Sequence, residues 1–170
     1  MALIKKVKGV APTFGKDVFL ADNATIIGDV IIGDECTIWF NAVVRGDVHS
    51  IRIGNKTNIQ DGAIIHCTYQ KASTTIGSNV SIGHGAMIHG CTLEDGCLVG
   101  MGAIVMDNAV VQTGALVAAG AVVLENTICE TGYIYAGTPA KKVKAISEEL
   151  GAIFERTANN YVMYSKWIED

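Results

Sequence analysis

The chain is poor in several things that globular domains use freely. Aromatic residues make up 6% of its 170 positions, and proline occurs twice. Its apolar share, 49%, is therefore mostly Val, Ile, Leu and Ala, and it comes with 19 glycines. That mixture points to many short strands joined by turns. A basic stripe is also missing. With a net charge of −4, nothing replaces the counterions of a phosphate backbone, which excludes a nucleic-acid partner. No apolar run reaches the ~20 residues of a spanning helix, since glycines and charges interrupt each one, so no membrane partner is expected. Met1 to Gly9 carries lysines but no apolar stretch of leader type, and the expected compartment is cytoplasmic. The five cysteines (Cys36, Cys67, Cys91, Cys97, Cys129) are odd in number and include no C-x-x-C. A disulfide framework is excluded, and reduced packing residues are expected.

What is present is a six-residue repeat. Aliphatic residues recur at Leu20, Ile26, Ile32, Ile38 and Val44, then at Ile53, Ile59 and Ile65, then at Ile76, Ile82 and Ile88. A last series runs Leu93, Val99, Val105, Val111, Val117 and Val123. Four residues after many of them sits a small side chain, such as Ala24, Cys36, Ala42, Ala63, Ala86 and Cys97. An amphipathic helix would repeat at three or four residues, not six. A short strand and a turn, three per coil of a triangular parallel β-helix, fit the period. Each coil then rises by one strand spacing, ~4.8 Å, and covers its neighbour.

The expected organisation is one domain, an all-β solenoid over residues 1–132, with a linker and a C-terminal α-helix over 133–170 packed on it. Leu150, Ile153, Phe154, Thr157, Ala158, Tyr161, Val162, Ser165 and Ile168 follow helical spacing. Ser147 is the expected N-cap, with Glu148 and Glu149 favouring the helix dipole.

Breaks in the repeat fall between Val44 and Ile53, between Ile65 and Ile76, and between Ile88 and Leu93. If the first two breaks are loops at corners and the third is a shortened corner, Val44, Ile65 and Ile88 share one face, and Ile59 and Ile82 share the next. Arg45, His66 and His89 then project outward in one row, with His66 and His89 one strand spacing apart. His84 belongs to another face, too far to join them within one chain. A catalytic zinc takes three protein ligands and an open position. If His84 is the third ligand it comes from a second chain, and a threefold ring closes such sites.

Arg45-Gly46-Asp47, Gln60-Asp61, His66 and the His84-x4-His89 spacing resemble the signature of the γ-class carbonic anhydrase family. The resemblance extends over nearly the whole chain, through Gly137-Thr-Pro-Ala-Lys141 and Asn159-Asn-Tyr161. It implies left-handed coiling, a homotrimer, and zinc, or Fe2+ or Co2+, held by His66, His84 and His89. It further implies that a metal-bound hydroxide hydrates carbon dioxide to bicarbonate. By the same resemblance Gln60 would hydrogen-bond metal-bound solvent. Arg45, Asp47 and Asp61 would form interface ion pairs, and Tyr161 would match an active-site tyrosine. The chain departs from the archaeal members at two glutamate positions, occupied here by Val48 and Tyr69, and at an asparagine, here Met163. An imidazole can move protons near neutral pH, which makes His49 a candidate shuttle beside the plainer reading of an exposed loop histidine.

Two other readings stay open. A hexapeptide acyltransferase using a CoA thioester shares the solenoid and needs one histidine base rather than three. A metal-holding structural or assembly protein needs the ligands but no turnover.

Overall fold

The computed structural model describes residues 1–169. The repeat winds into a parallel β-solenoid of three faces. On the first face the inward residues stack as Ile4, Ile26, Val44, Ile65, Ile88, Val105 and Val123. The second stacks Phe14, Ile32, Ile53, Ile76, Leu93, Val111 and Cys129. The third stacks Leu20, Ile38, Ile59, Ile82, Val99, Val117 and Tyr135. A hexad repeat produces these columns because each aliphatic residue lands directly over its counterpart one coil away. From Ile26 to Val123 the first column is 0% exposed, and the small residues between columns are buried with it. Such residues are required where three walls converge, because larger ones would overfill the corners.

The face count expected from the sequence holds: Val44, Ile65 and Ile88 are consecutive partners, and Ile59 pairs with Ile82. One detail differs. The break after Val44 is not a loop, because Val43–Ile53 is a single strand that bends around the corner. It pairs with Ile64 and Ile65 on one face and with Thr74–Ile76 on the next. The bend needs close backbone contact at Gly46, where a Cβ would lie 2.6 Å from the Asp29 carbonyl oxygen.

The segment expected as a linker is also more ordered than a linker. Tyr133–Ala136 extends the third face, and Lys141–Ala145 folds back antiparallel onto it. The helix follows at Glu148–Ser165, capped by Ser147, whose Oγ accepts from the Leu150 amide at 3.3 Å. Phe154 and Ala158 are its buried residues. The helix docks on the third face against Thr37–Ile38 and Ser81–Ile82. There an outward polar row, Thr37, Asn58 and Ser81, is buried. The row is satisfied internally: Asn58 Nδ2 donates to Ser81 Oγ at 2.8 Å, and Trp39 Nε1 to Thr37 Oγ1 at 3.0 Å. Burial without partners would cost ~1–3 kcal/mol per group. Among the described residues no helix is long and apolar enough to cross a membrane.

Candidate metal centre

His66 and His89 close the outer ends of two adjacent first-face strands, Ile64–His66 and Met87–His89, and pair directly in register. Buried Thr74 fastens them: its hydroxyl donates to the His66 carbonyl at 2.6 Å and accepts the Gly90 amide at 3.0 Å. The rings lie 5.1 Å apart between centroids, with His66 Nδ1 3.2 Å from His89 Nε2.

The outer nitrogens of both rings are taken by carboxylates. Asp47 Oδ1 is 3.1 Å from His66 Nε2, and Asp107 Oδ1 is 2.7 Å from His89 Nδ1. A carboxylate accepts, so each outer nitrogen carries the proton. These partners assign the tautomers of the neutral rings, in which the inner nitrogens, Nδ1 of His66 and Nε2 of His89, have lone pairs facing one another. Two lone pairs in contact repel unless a cation lies between them. Tetrahedral zinc with bonds of ~2.05 Å separates adjacent nitrogens by ~3.3 Å. The spacing therefore fits an ion.

Arg45 stands in the same row above His66, and its Nη1 donates to Asp47 Oδ2 at 2.5 Å. Burial of Asp47 raises its pKa, but hydrogen bonds from Arg45 and His66 and the guanidinium charge outweigh that and hold it below the usual carboxylate value. Burial likewise lowers the His66 pKa, which favours the neutral ring that ligation requires.

His84 lies elsewhere, at the corner that leaves the third face. Its carbonyl accepts from the Gly102 amide at 2.8 Å, within a vertical series of corner bonds that also joins Gly85 to Asp61. Asp61 sits one coil above, with Oδ2 2.9 Å from His84 Nδ1, so His84 repeats the carboxylate–imidazole arrangement and keeps Nε2 free. Tyr161 reaches this nitrogen from the helix, its hydroxyl 3.5 Å away, which is long for a hydrogen bond. Burial, then the nearby Asp61 charge and Tyr164, push the Tyr161 pKa up to about 12, so the hydroxyl keeps its proton. Trp39, Phe40, Tyr164 and Trp167 complete an apolar cleft of about 310 Å³ around His84.

The structure thus brings together Arg45, Asp47, His66 and His89 on one face, and Asp61, His84 and Tyr161 at a separate corner. Among the described residues no three His, Cys, Asp or Glu side chains of one chain converge on a metal position. Gln60 is buried and hydrogen-bonds none of the three imidazoles: its Nε2 donates to Asn58 Oδ1 at 3.0 Å, leaving Oε1 to accept. Arg45 and Asp47 pair with each other, and Asp61 pairs with His84, all within the chain. His49 lines a groove of about 430 Å³ with Asp47, Lys8 and Arg52.

Sequence reasoning missed Asp107 and Asn58. Asp107 lies eighteen residues, one coil, below His89, and that spacing is the signal that could have found it. Asn58 precedes the inward Ile59 as Gln60 follows it, so both point outward, Asn58 within the strand Asn58–Ile59 and Gln60 just past its end.

The model of the bacterial transferase hexapeptide family (six repeats) matches residues 11–46 and 73–105. A probable carbonic anhydrase of Methanocaldococcus jannaschii is 48% identical, over 91% of this chain and 96% of that protein. The mitochondrial gamma carbonic anhydrase 2 of Arabidopsis thaliana is 44% identical over 89% of this chain, which spans 56% of that longer protein. Among solved structures, a hexapeptide transferase family protein from Anaplasma phagocytophilum superposes with a TM-score of 0.94 at 40% identity, covering 98% of both chains.

Proposed function

This chain belongs to the γ-class carbonic anhydrase-like family of hexapeptide-repeat proteins, and from that premise we propose that it is a metal-dependent carbonic anhydrase acting as a homotrimer. The observation that carries the reading is the 3.2 Å approach of two carboxylate-held imidazoles. His66 and His89 of one chain and a neighbour's His84 would hold the ion, zinc or else iron or cobalt. Such an ion acidifies water at neutral pH and so supplies the nucleophile that carbon dioxide needs.

The protein's own groups supply orientation. Asp47, Asp61 and Asp107 fix the ring tautomers, which leaves the opposite nitrogen of each imidazole to face the ion. Arg45 holds Asp47 in place by a charge-assisted hydrogen bond. Gln60 has an Oε1 free to accept, and the protonated Tyr161 hydroxyl stands beside His84; both would orient solvent or bicarbonate. Trimer formation would bring the aromatic cleft at His84 against the face bearing His66 and His89. Exposed Ile64 and Met87, each 38% accessible beside the histidine row, favour that burial. Proton export lacks a carboxylate at Val48 and Tyr69, which predicts slow turnover.

The test is carbon dioxide hydration by stopped flow on protein of measured metal content, prepared without oxygen, with His89→Ala alongside. Hydration proportional to bound metal and absent from the variant is expected. Full metal occupancy with no hydration would instead leave a structural site, and saturable CoA binding by metal-free protein would support acyl transfer.

A further inference from the structure

Asp107 occupies a corner position with a plain structural job elsewhere in the solenoid. At comparable corners Asp34 Oδ1 accepts the Lys16 amide at 2.7 Å, Asn55 Oδ1 the Asp34 amide at 2.8 Å, and Asp95 Oδ1 the Ser78 amide at 2.7 Å. In each case the acceptor tucks under a glycine of the coil above: Gly15, Gly33 and Gly77. Asp107 tucks under Gly90 in the same way. Its oxygens, however, are turned to side chains. Oδ1 takes His89 Nδ1 at 2.7 Å, and Oδ2 accepts the Thr68 hydroxyl at 2.5 Å. Its side chain is 17% exposed.

We propose that Asp107 is a positioning residue for His89, diverted from the backbone role of its corner to hold the imidazole as the Nδ1–H tautomer with Nε2 aimed at the ion. The proposal rests on the metal-site reading above. Thr68 completes the arrangement: its hydroxyl engages the second carboxylate oxygen, so the carboxylate cannot rotate away from the ring without losing that bond. A free imidazole prefers the proton on Nε2, which is the nitrogen that must be bare to bind metal. Without Asp107 that preference returns, and part of the binding energy is spent on reversing it. Outer carboxylates of this kind are worth on the order of 10- to 100-fold in metal affinity.

The experiment uses the whole 170-residue chain in its native assembly as Asp107→Ala, Asp107→Asn and, as a control for the corner role, Asp95→Ala. Two readouts are taken: the His89 tautomer in metal-free protein by 15N NMR, above the imidazole titration range, and zinc affinity by competition with a chromogenic chelator. Asp107→Ala is expected to move the His89 proton to Nε2 and to weaken zinc binding by roughly 10- to 100-fold. Asp107→Asn still presents Oδ1 to the ring while its amide donates to Thr68, so it should keep the tautomer and recover part of the affinity. Asp95→Ala should change neither. Unchanged zinc affinity in Asp107→Ala, or an equal loss in Asp95→Ala, overturns the proposal. If the wild-type protein binds no zinc, the metal-site reading fails instead, and the tautomer comparison alone decides whether Asp107 sets the ring.

Discussion

Replacing Gly90 by alanine should damage both the fold and the metal centre, and by a separable amount. Gly90 follows His89 with a φ of +58°, in the left-handed region, and its amide is bonded to the Thr74 hydroxyl. An added Cβ would collide with Asp107 Oδ1 and lie 2.7 Å from Ala72 Cβ. Ala72 Cβ is fixed to its backbone and cannot swing aside, and Asp107 is tethered by Thr68 and His89. Gly114 is the matched control, with a φ of +64° and no atom within 4 Å of an added Cβ. Placing alanine in the left-handed region costs about 1–2 kcal/mol, and that is all Gly114→Ala should cost. Gly90→Ala adds an overpacking term of about 1–3 kcal/mol, for a total of about 2–5 kcal/mol. Urea titrations at one protein concentration would read the difference as a shift in midpoint at constant slope. Gly90→Ala should also lower bound metal, since relief of the clash moves Asp107 off His89. Equal midpoints for the two variants would refute this reasoning, because strain alone would then explain both.

Two further outcomes follow from burial and charge. Asp47 and Asp107 both have lowered pKa values, since bonds from Arg45, His66, Thr68 and His89 outweigh the raising effect of burial. Their contribution to stability is present above the unfolded carboxylate pKa, near 3.8, and is lost as pH falls through their lower folded values. His66, lowered by burial, adds a loss that begins as pH drops below 6.5. Acid unfolding of the metal-free protein should therefore be shallower below pH ~4 in Asp47→Asn than in wild type; identical profiles would contradict this. The cysteines should be unreactive: all five are buried, and burial pushes their thiols up, Cys36 and Cys129 to about 11. Disulfide-exchange reagents should find no fast thiol in native protein, and X-ray absorption of the zinc form should show no sulfur shell near ~2.3 Å.

The hexad repeat carried most of the fold, because a solenoid is built from contacts one coil apart and spacing alone defines the columns. The same arithmetic placed His66 over His89 and set His84 on another face. What escaped it depended on corners. The bend through Gly46 keeps Val43–Ile53 as one strand, although the apolar spacing there reads as an interruption. Asp107 looks like any other corner acceptor until the orientation of its oxygens is known. That Asp47 and Asp61 bond His66 and His84 within the chain depends on rotamers and not on periodicity. Ser147 and the helix start were legible because capping is local chemistry, whereas the Tyr133–Ala145 strand pair forms only because the last coil offers it an edge.

The measurement that reaches the shared site most directly is metal recovery in mixed trimers. His84→Ala chains keep an intact His66/His89 pair, and His66→Ala chains keep an intact His84. Each homotrimer should lack metal. Refolded together, with mixed trimers verified by mass, they place a healthy pair against a healthy His84 at some interfaces. Partial recovery of bound zinc, absent from both parents, is the predicted result. Verified mixed trimers with no recovered metal would contradict a centre divided between neighbouring chains.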